Sequence, residues 1–249
     1  MIKCSIDKKA KLISYFSEHW YDIGDGVILP SVTSILDKTL SKGYGFTQWL
    51  MNTGNESKVI AREAAESGSK LHNAIENLIQ GNTITAELGN FTKEEWKKLN
   101  DWVNWHKALK IEPICTETTV YDAELGYAGT ADYICRINGE VWLLDWKTGN
   151  AIHDTAYLQV ASYWHAWNLR NEPKIQRCGV VHVGASIRTA KDFNNVGIKV
   201  EEVDFEKDFE IFKATLEIYK RLCPNEKAPT SIYPLELSLE SEVINETNS

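Results

Sequence analysis

The chain has 249 residues, 43% of them hydrophobic and 25% charged, with 6 Pro and 15 Gly. That composition belongs to a globular protein able to bury a sizeable core, and it excludes collagen-like, mucin-like and wholly disordered polymers. The net charge of −8, from 27 Lys and Arg against 35 Asp and Glu, argues against a general nucleic-acid coat protein.

Half of that charge is local: residues 236–249 carry Glu236, Glu240, Glu242 and Glu246 with no Lys or Arg. An acidic, disordered tail is expected there, behind one domain over residues 1–235. No apolar run approaches the roughly 18 to 20 residues that span a bilayer, and Met1-Ile-Lys-Cys4 lacks an apolar signal core, so neither membrane insertion nor secretion is expected. The five cysteines, Cys4, Cys115, Cys135, Cys178 and Cys223, lie at least 20 positions apart. That spacing excludes a C-x-x-C zinc, redox or cluster motif, and the odd count points to reduced thiols in a cytosolic compartment.

In chain order, the first 30 residues read as short strands around the turn Asp22-Ile-Gly-Asp-Gly26. Ser31 then caps a helix opened by Pro30-Ser-Val-Thr33. A helical pattern runs from Glu56 to Ile79, with Ser67-Gly68-Ser69 as an interruption; Gly68 costs about 1 kcal/mol against Ala in a helix interior and marks a junction or a close backbone approach. Thr92-Lys-Glu-Glu95 is a capping box, followed by Trp96, Leu99, Val103 and His106 at helical spacing until Pro113. Trp102 and Trp105, on an adjoining face, read as aromatic core rather than as a base-stacking platform.

After Pro113 the period changes to two. Ile114 to Tyr121, Thr130 to Ile137 and Glu140 to Lys147 read as strands, Asp154 to Leu169 as a helix and Gly179 to Val183 as a strand. Asp204 caps a last helix with Phe205, Phe209, Phe212, Leu216 and Tyr219 as its apolar stripe. The order is α/β.

Asn138-Gly139 between two apolar runs is a strong signal for a two-residue type I′ hairpin. Ile137 then faces Glu140, and the same register sets Asp132 against Asp145 on one sheet face, with Lys147 two residues on. Opposed like charges destabilise a sheet, and a divalent cation offsets them; oxygen ligands at this separation suit Mg²⁺ or Mn²⁺. The Asp/Glu-x-Lys pattern alone is weak, since it occurs five times, at Asp7, Glu56, Glu95, Asp145 and Glu172. Only the copy at Asp145 follows an apolar strand and has a second aspartate placed opposite it.

With Gly129-Thr-Ala-Asp132, Asp145-Trp-Lys147-Thr148 and Gln159-x-x-x-Tyr163 in that order, the chain resembles the RecB-like branch of the PD-(D/E)xK nucleases. Gly68-x-x-x-His72 resembles the upstream Gly/His helix motif of the branch. His19-Trp-Tyr and Leu29-Pro-Ser-Val-Thr33 resemble the opening of mitochondrial genome maintenance exonucleases and their phage relatives. The likeness covers about residues 18 to 220.

The resemblance implies a restriction-endonuclease-like αβββαβ core with a mixed central sheet over about 111–222 and an N-terminal helical extension over about 30–110. It implies Asp132, Asp145 and Lys147 as catalytic residues. His72, Asp132, Asp145 and the main-chain carbonyl of Trp146 would hold Mg²⁺ or Mn²⁺, with the nitrogen ligand favouring Mn²⁺. Gln159 and Tyr163 would face the DNA backbone or support the site. Glu117 is a candidate additional acid, and Glu76, one turn after His72, a candidate partner for that histidine.

The implied activity is a metal-dependent DNA exonuclease on single-stranded DNA or flaps, in replication, repair or recombination. Alternatives are a duplex recombination exonuclease, an endonuclease of the same fold, or a nucleic-acid-binding module whose catalysis has lapsed. Lys147, Lys174, Arg177, Arg188 and Lys191 are expected to form a basic rim that tracks phosphates. An iron–sulfur cluster is not expected, because three clustered C-terminal cysteines are missing. With no G-x-x-x-x-G-K-[ST] loop, a separate helicase is the expected source of unwinding. The cytoplasm of a bacterium or phage-infected cell is the expected location, ahead of mitochondria.

Overall fold

A computed structural model describes residues 10–15, 18–41, 43–54, 56–87, 91–229 and 233–234. The acidic tail and the opening residues, with Cys4 and Asp7, lie outside the described residues. Strands β1 (Lys11–Tyr15), β2 (Glu18–Asp22) and β3 (Ile28–Pro30) form a small antiparallel sheet. Helices α1 (Val32–Thr39), α2 (Gly43–Thr53), α3 (Glu56–Ile79) and α4 (Lys93–Ala108) follow. Next come β4 (Glu112–Asp122), β5 (Tyr127–Ile137), β6 (Glu140–Lys147), α5 (Thr155–Arg170), β7 (Arg177–Val183), β8 (Ile198–Glu202) and α6 (Phe205–Leu222).

Local chemistry explains most of these boundaries. Gly24, Asp25 and Gly26 take positive φ in the β2–β3 turn, and Asp22 Oδ1 accepts the Gly24 amide at 2.8 Å. Ser31 caps α1 by accepting the Ser34 amide, and Thr92 and Glu95 form the reciprocal capping box of α4. Asn138 and Gly139, at φ 50° and 87°, make the β5–β6 hairpin with Ile137 paired to Glu140. Two elements have no clear sequence signal: α2 opens on Gly43 and Gly45, poor helix formers, and β8 owes its strand conformation to pairing with β7.

The expected break at Gly68 is absent, and α3 runs through it as one helix of 24 residues. A Cβ on Gly68 would lie 3.2 Å from Thr148 Oγ1, so the glycine marks a close approach to the end of β6. Nor does Pro113 stop α4, which ends at Ala108. Lys110 turns the chain at φ 50°, and Pro113 is already inside β4.

The main sheet has the order β4-β5-β6-β7-β8, antiparallel except for the parallel β6–β7 pair. A parallel pair needs a crossover, and α5 supplies it. The fold is mixed α/β, with cores on both faces of the sheet. On one face α1, α5 and α6 bury Ile35, Val160, Trp167 and Phe212 against Ile134, Leu143 and Val180. On the other, Leu71 and Ile75 of α3 and Leu99, Trp102 and Trp105 of α4 cover Tyr133, Leu144 and Trp146.

Trp102 and Trp105 are core aromatics, edge-on to Trp146 at 5.7 and 6.1 Å. Trp96 and Val103, expected on the main stripe of α4, are only partly buried. No described helix is long and apolar enough to cross a membrane. Cys115, Cys135, Cys178 and Cys223 are free thiols.

Candidate functional site

The site forms where the β5–β6 ladder ends. Paired residues run from Ile137↔Glu140 to Tyr133↔Leu144, and the next step would bring Asp132 to Asp145. Asp132 Oδ2 accepts the Trp146 amide at 2.9 Å, so the carboxylate takes up a main-chain donor as the ladder opens. Strand alternation breaks at the same point. Ala131 packs in the core of α5 and α6, whereas Tyr133, two residues on, packs in the core of α3 and α4.

Glu117 reaches Asp132 from β4. The pairs Thr116↔Tyr133 and Thr118↔Ala131 flank these two residues, and Glu117 has φ 46°. A left-handed conformation is costly for a residue with a Cβ, on the order of 1–2 kcal/mol, and such strain is concentrated at functional sites. From α3, His72 Nδ1 stands 3.6 Å from Asp132 Oδ2. Ligand atoms of His72, Glu117 and Asp132 all lie within 4.8 Å of one another. Gly68, Ser69, His72, Asn73, Glu76, Glu117 and Asp132 line the cleft, of about 400 Å³.

Electrostatics set this cluster apart. Asp132, 8% exposed, has its carboxyl pushed up to about 6, first by burial and then by the charge of Asp145, against His72, Lys147 and the Trp146 amide, which pull it down. The Glu117 side chain is exposed, yet crowding by protein displaces part of its hydration. Its carboxyl is pushed up to about 8 by that desolvation and by the charges of Asp132, Glu76 and Asp145. Glu76 lies at the rim and accepts from Gln80 Nε2 at 2.9 Å. It shares the cleft with His72, but the partner facing His72 Nδ1 is Asp132.

Asp145 is 1% exposed, and neither of its oxygens has a hydrogen-bond partner. Lys147 Nζ stands 2.5 Å from Oδ2 as an ion pair without hydrogen-bond geometry. Lys147 is held above its ordinary range: burial alone would lower it, but the charges of Asp145 and Asp132 outweigh that effect. The ammonium also donates to Gln159 Oε1 at 3.1 Å, and Gln159 Nε2 donates to the Tyr163 hydroxyl at 3.1 Å. The i, i+4 pair on α5 therefore supports the lysine in series. Tyr163 is 3% exposed, and its hydroxyl meets Gln159.

The Tyr163 ring explains Gly129. A Cβ there would fall 2.1 Å from Tyr163 Cε1, so β5 must carry glycine three residues before Asp132. Sequence reasoning missed Tyr21, whose hydroxyl bonds Thr130 Oγ1 at 2.9 Å and is pushed up to about 12 by burial and by Glu117 and Asp132. Its only signal is the His19-Trp-Tyr string, which carries no chemistry until the small sheet docks on β5.

The expected basic rim is corrected in two places. Arg177 pairs with Trp142, five residues before Lys147, which puts it roughly 16 Å along the strand. There it is neutralised by Glu140 and Glu202. Lys174 precedes it and donates to Asn168 and Asn171 carbonyls. Charge type and chain position made both look suitable, but a parallel strand enters the sheet at the end remote from the acids. Arg188 and Lys191 lie in the β7–β8 connection, whose Phe193 packs on Trp142 at 4.8 Å beside Arg177. No protein-family model matches the chain, and no curated protein matches it.

Proposed function

We propose that this chain is a metal-dependent deoxyribonuclease of the PD-(D/E)xK type. It would hydrolyse phosphodiester bonds as an exonuclease on single-stranded DNA or flaps, in replication, repair or recombination. The observation that carries this reading is a buried Asp145 whose Oδ1 has no partner and whose Oδ2 meets only the Lys147 ammonium, beside His72, Glu117 and Asp132, whose ligand atoms lie within 4.8 Å of one another. Buried carboxylates without hydrogen bonds are costly, and a divalent cation removes that cost. Donors of oxygen with one imidazole nitrogen suit Mg²⁺ or Mn²⁺.

Asp132, Asp145, His72 and Glu117, with the Trp146 main-chain carbonyl, would hold the cation. When bound, it supplies Lewis-acid charge to the phosphate and lowers the pKa of water. Lys147 stays cationic at neutral pH, because its two aspartates hold the proton on, and it stabilises negative charge developing on the phosphate. Gln159 and Tyr163 fix the direction of that ammonium. The order of β4, β5, β6, α5 and β7 behind α4 supports a restriction-endonuclease-like core, with the small N-terminal sheet and α1–α3 as its extension. A bacterial or phage-infected cytoplasm is the proposed setting, with a separate helicase supplying single strands.

The test follows 5′-labelled and 3′-labelled single-stranded oligonucleotides with purified protein and Mn²⁺, beside EDTA and Asp145→Ala controls. Stepwise shortening abolished by both controls is the expected result. Binding of DNA without cleavage, across metals and on duplex substrates too, would overturn the enzyme reading and leave a nucleic-acid-binding module.

A further inference from the structure

The strand that carries Asp145 and Lys147 leaves the sheet immediately after the lysine. Its next two carbonyls, of Thr148 and Gly149, therefore lack ladder partners, and a strand end without partners frays. Both carbonyls are taken up by side chains from other elements. Lys98 Nζ of α4 donates to the Thr148 carbonyl at 2.8 Å. His182 Nε2 of β7 donates to the Gly149 carbonyl at 2.7 Å.

Lys98 reaches Thr148 because of a glycine. Its stem crosses Gly184, where a Cβ would come within 2.6 Å of Lys98 Cε, and Gly184 sits at φ 102°. Thr148 is approached from a third side by Gly68 of α3, four residues before His72. Among the described residues no carboxylate forms an ion pair with Lys98, and its ammonium is engaged by this carbonyl.

We infer that Lys98 is a positioning residue for the Asp145–Lys147 strand end, acting through the Thr148 carbonyl over a track that Gly184 keeps open. The inference rests on the nuclease reading for its effect on turnover, and on geometry alone for its effect on the strand end. A charge-assisted bond of this kind keeps the backbone after Lys147 in one conformation. The short reach of Lys147 to Asp145 and Gln159 depends on that conformation.

The experiment compares wild type, Lys98→Met, Lys98→Arg and Gly184→Ala by amide hydrogen exchange and by single-strand cleavage with Mn²⁺, with thermal melting to confirm folding. Lys98→Met keeps the stem and removes only the donor and charge. The expected result is faster exchange in residues 148–150 with α3 and α4 unchanged. Turnover should fall by about 10-fold or more, the scale of one lost charge-assisted bond, at unchanged KM. Lys98→Arg should recover most of both, and Gly184→Ala, whose Cβ meets the Lys98 stem, should reproduce the defect with residue 98 itself unchanged.

Unchanged exchange at 148–150 in Lys98→Met would overturn the inference. So would faster exchange with wild-type turnover, or a defect confined to KM, which would make Lys98 a substrate contact. If wild type cleaves nothing, the nuclease reading fails by itself, and the exchange comparison still decides whether Lys98 holds the strand end.

Discussion

Helix α3 meets buried carboxylates at two places, and they behave in opposite ways. Near its middle, Glu95 of α4 accepts from Ser67, Lys70 and the Thr92 amide at 2.7, 2.8 and 2.8 Å. Its burial would raise the pKa, but Lys70, Ser67 and Thr92 outweigh that and hold it down to about 2. One turn further along, His72 faces Asp132, where burial and like charge raise the carboxyls of Asp132 and Glu117. Burial is common to Glu95 and Asp132; what differs is whether the protein itself supplies the donors. A carboxylate satisfied from within ties two helices together, and one left short of donors is disposed to take a cation.

The largest effect should come from removing charge on the short-of-donors side. Asp145→Asn should lower Mn²⁺-dependent cleavage by on the order of 10²- to 10³-fold, the range for losing one preorganised electrostatic group. Glu95→Ala reverses the pattern. It should cost about 2–3 kcal/mol in urea unfolding, through the lost cap and the buried partners left behind, with cleavage per folded molecule unchanged.

The pH dependence sharpens the contrast. Glu95 titrates lower folded than its ordinary 4.5, so its stabilisation is complete above that value and is lost as pH falls toward 2. Asp132 and Glu117 titrate higher folded than their ordinary 3.8 and 4.5. They therefore weaken the metal-free fold as pH rises through 4 and toward 8. Urea unfolding in EDTA should show greatest stability between these limbs. Mn²⁺ should restore the neutral limb alone, and Glu95→Ala should flatten the acid limb alone. The smallest effect is expected at Arg177→Ala, which should leave cleavage within about twofold because surface ion pairs far from the site contribute little.

Much of the candidate site was legible because the hairpin turn is local chemistry. Asn138-Gly139 sets the register, and the register sends Asp132 toward Asp145 without any knowledge of the remaining fold. Helical spacing put Gln159 and Tyr163 on one face of α5, but the family resemblance singled them out, and their series arrangement behind Lys147 was not legible. The capping residues Ser31, Thr92 and Asp204 were legible for the same reason, since each acts within three residues. Gly68 and Gly129 stood out in the sequence, but their reasons are the Thr148 hydroxyl and the Tyr163 ring, which reach them from distant parts of the chain.

By itself, then, the sequence determined the turns, the caps and the hairpin register up to Tyr133↔Leu144, one step short of the two aspartates, because all of these act over a few residues of backbone. Only the tertiary structure decided that Glu117 and His72 join Asp132, that Tyr21 bonds Thr130, and that Lys174 and Arg177 sit at the far end. Those outcomes depend on which elements dock and in which direction a strand enters the sheet. Burial and long-range pairing settle that, and no local pattern encodes it.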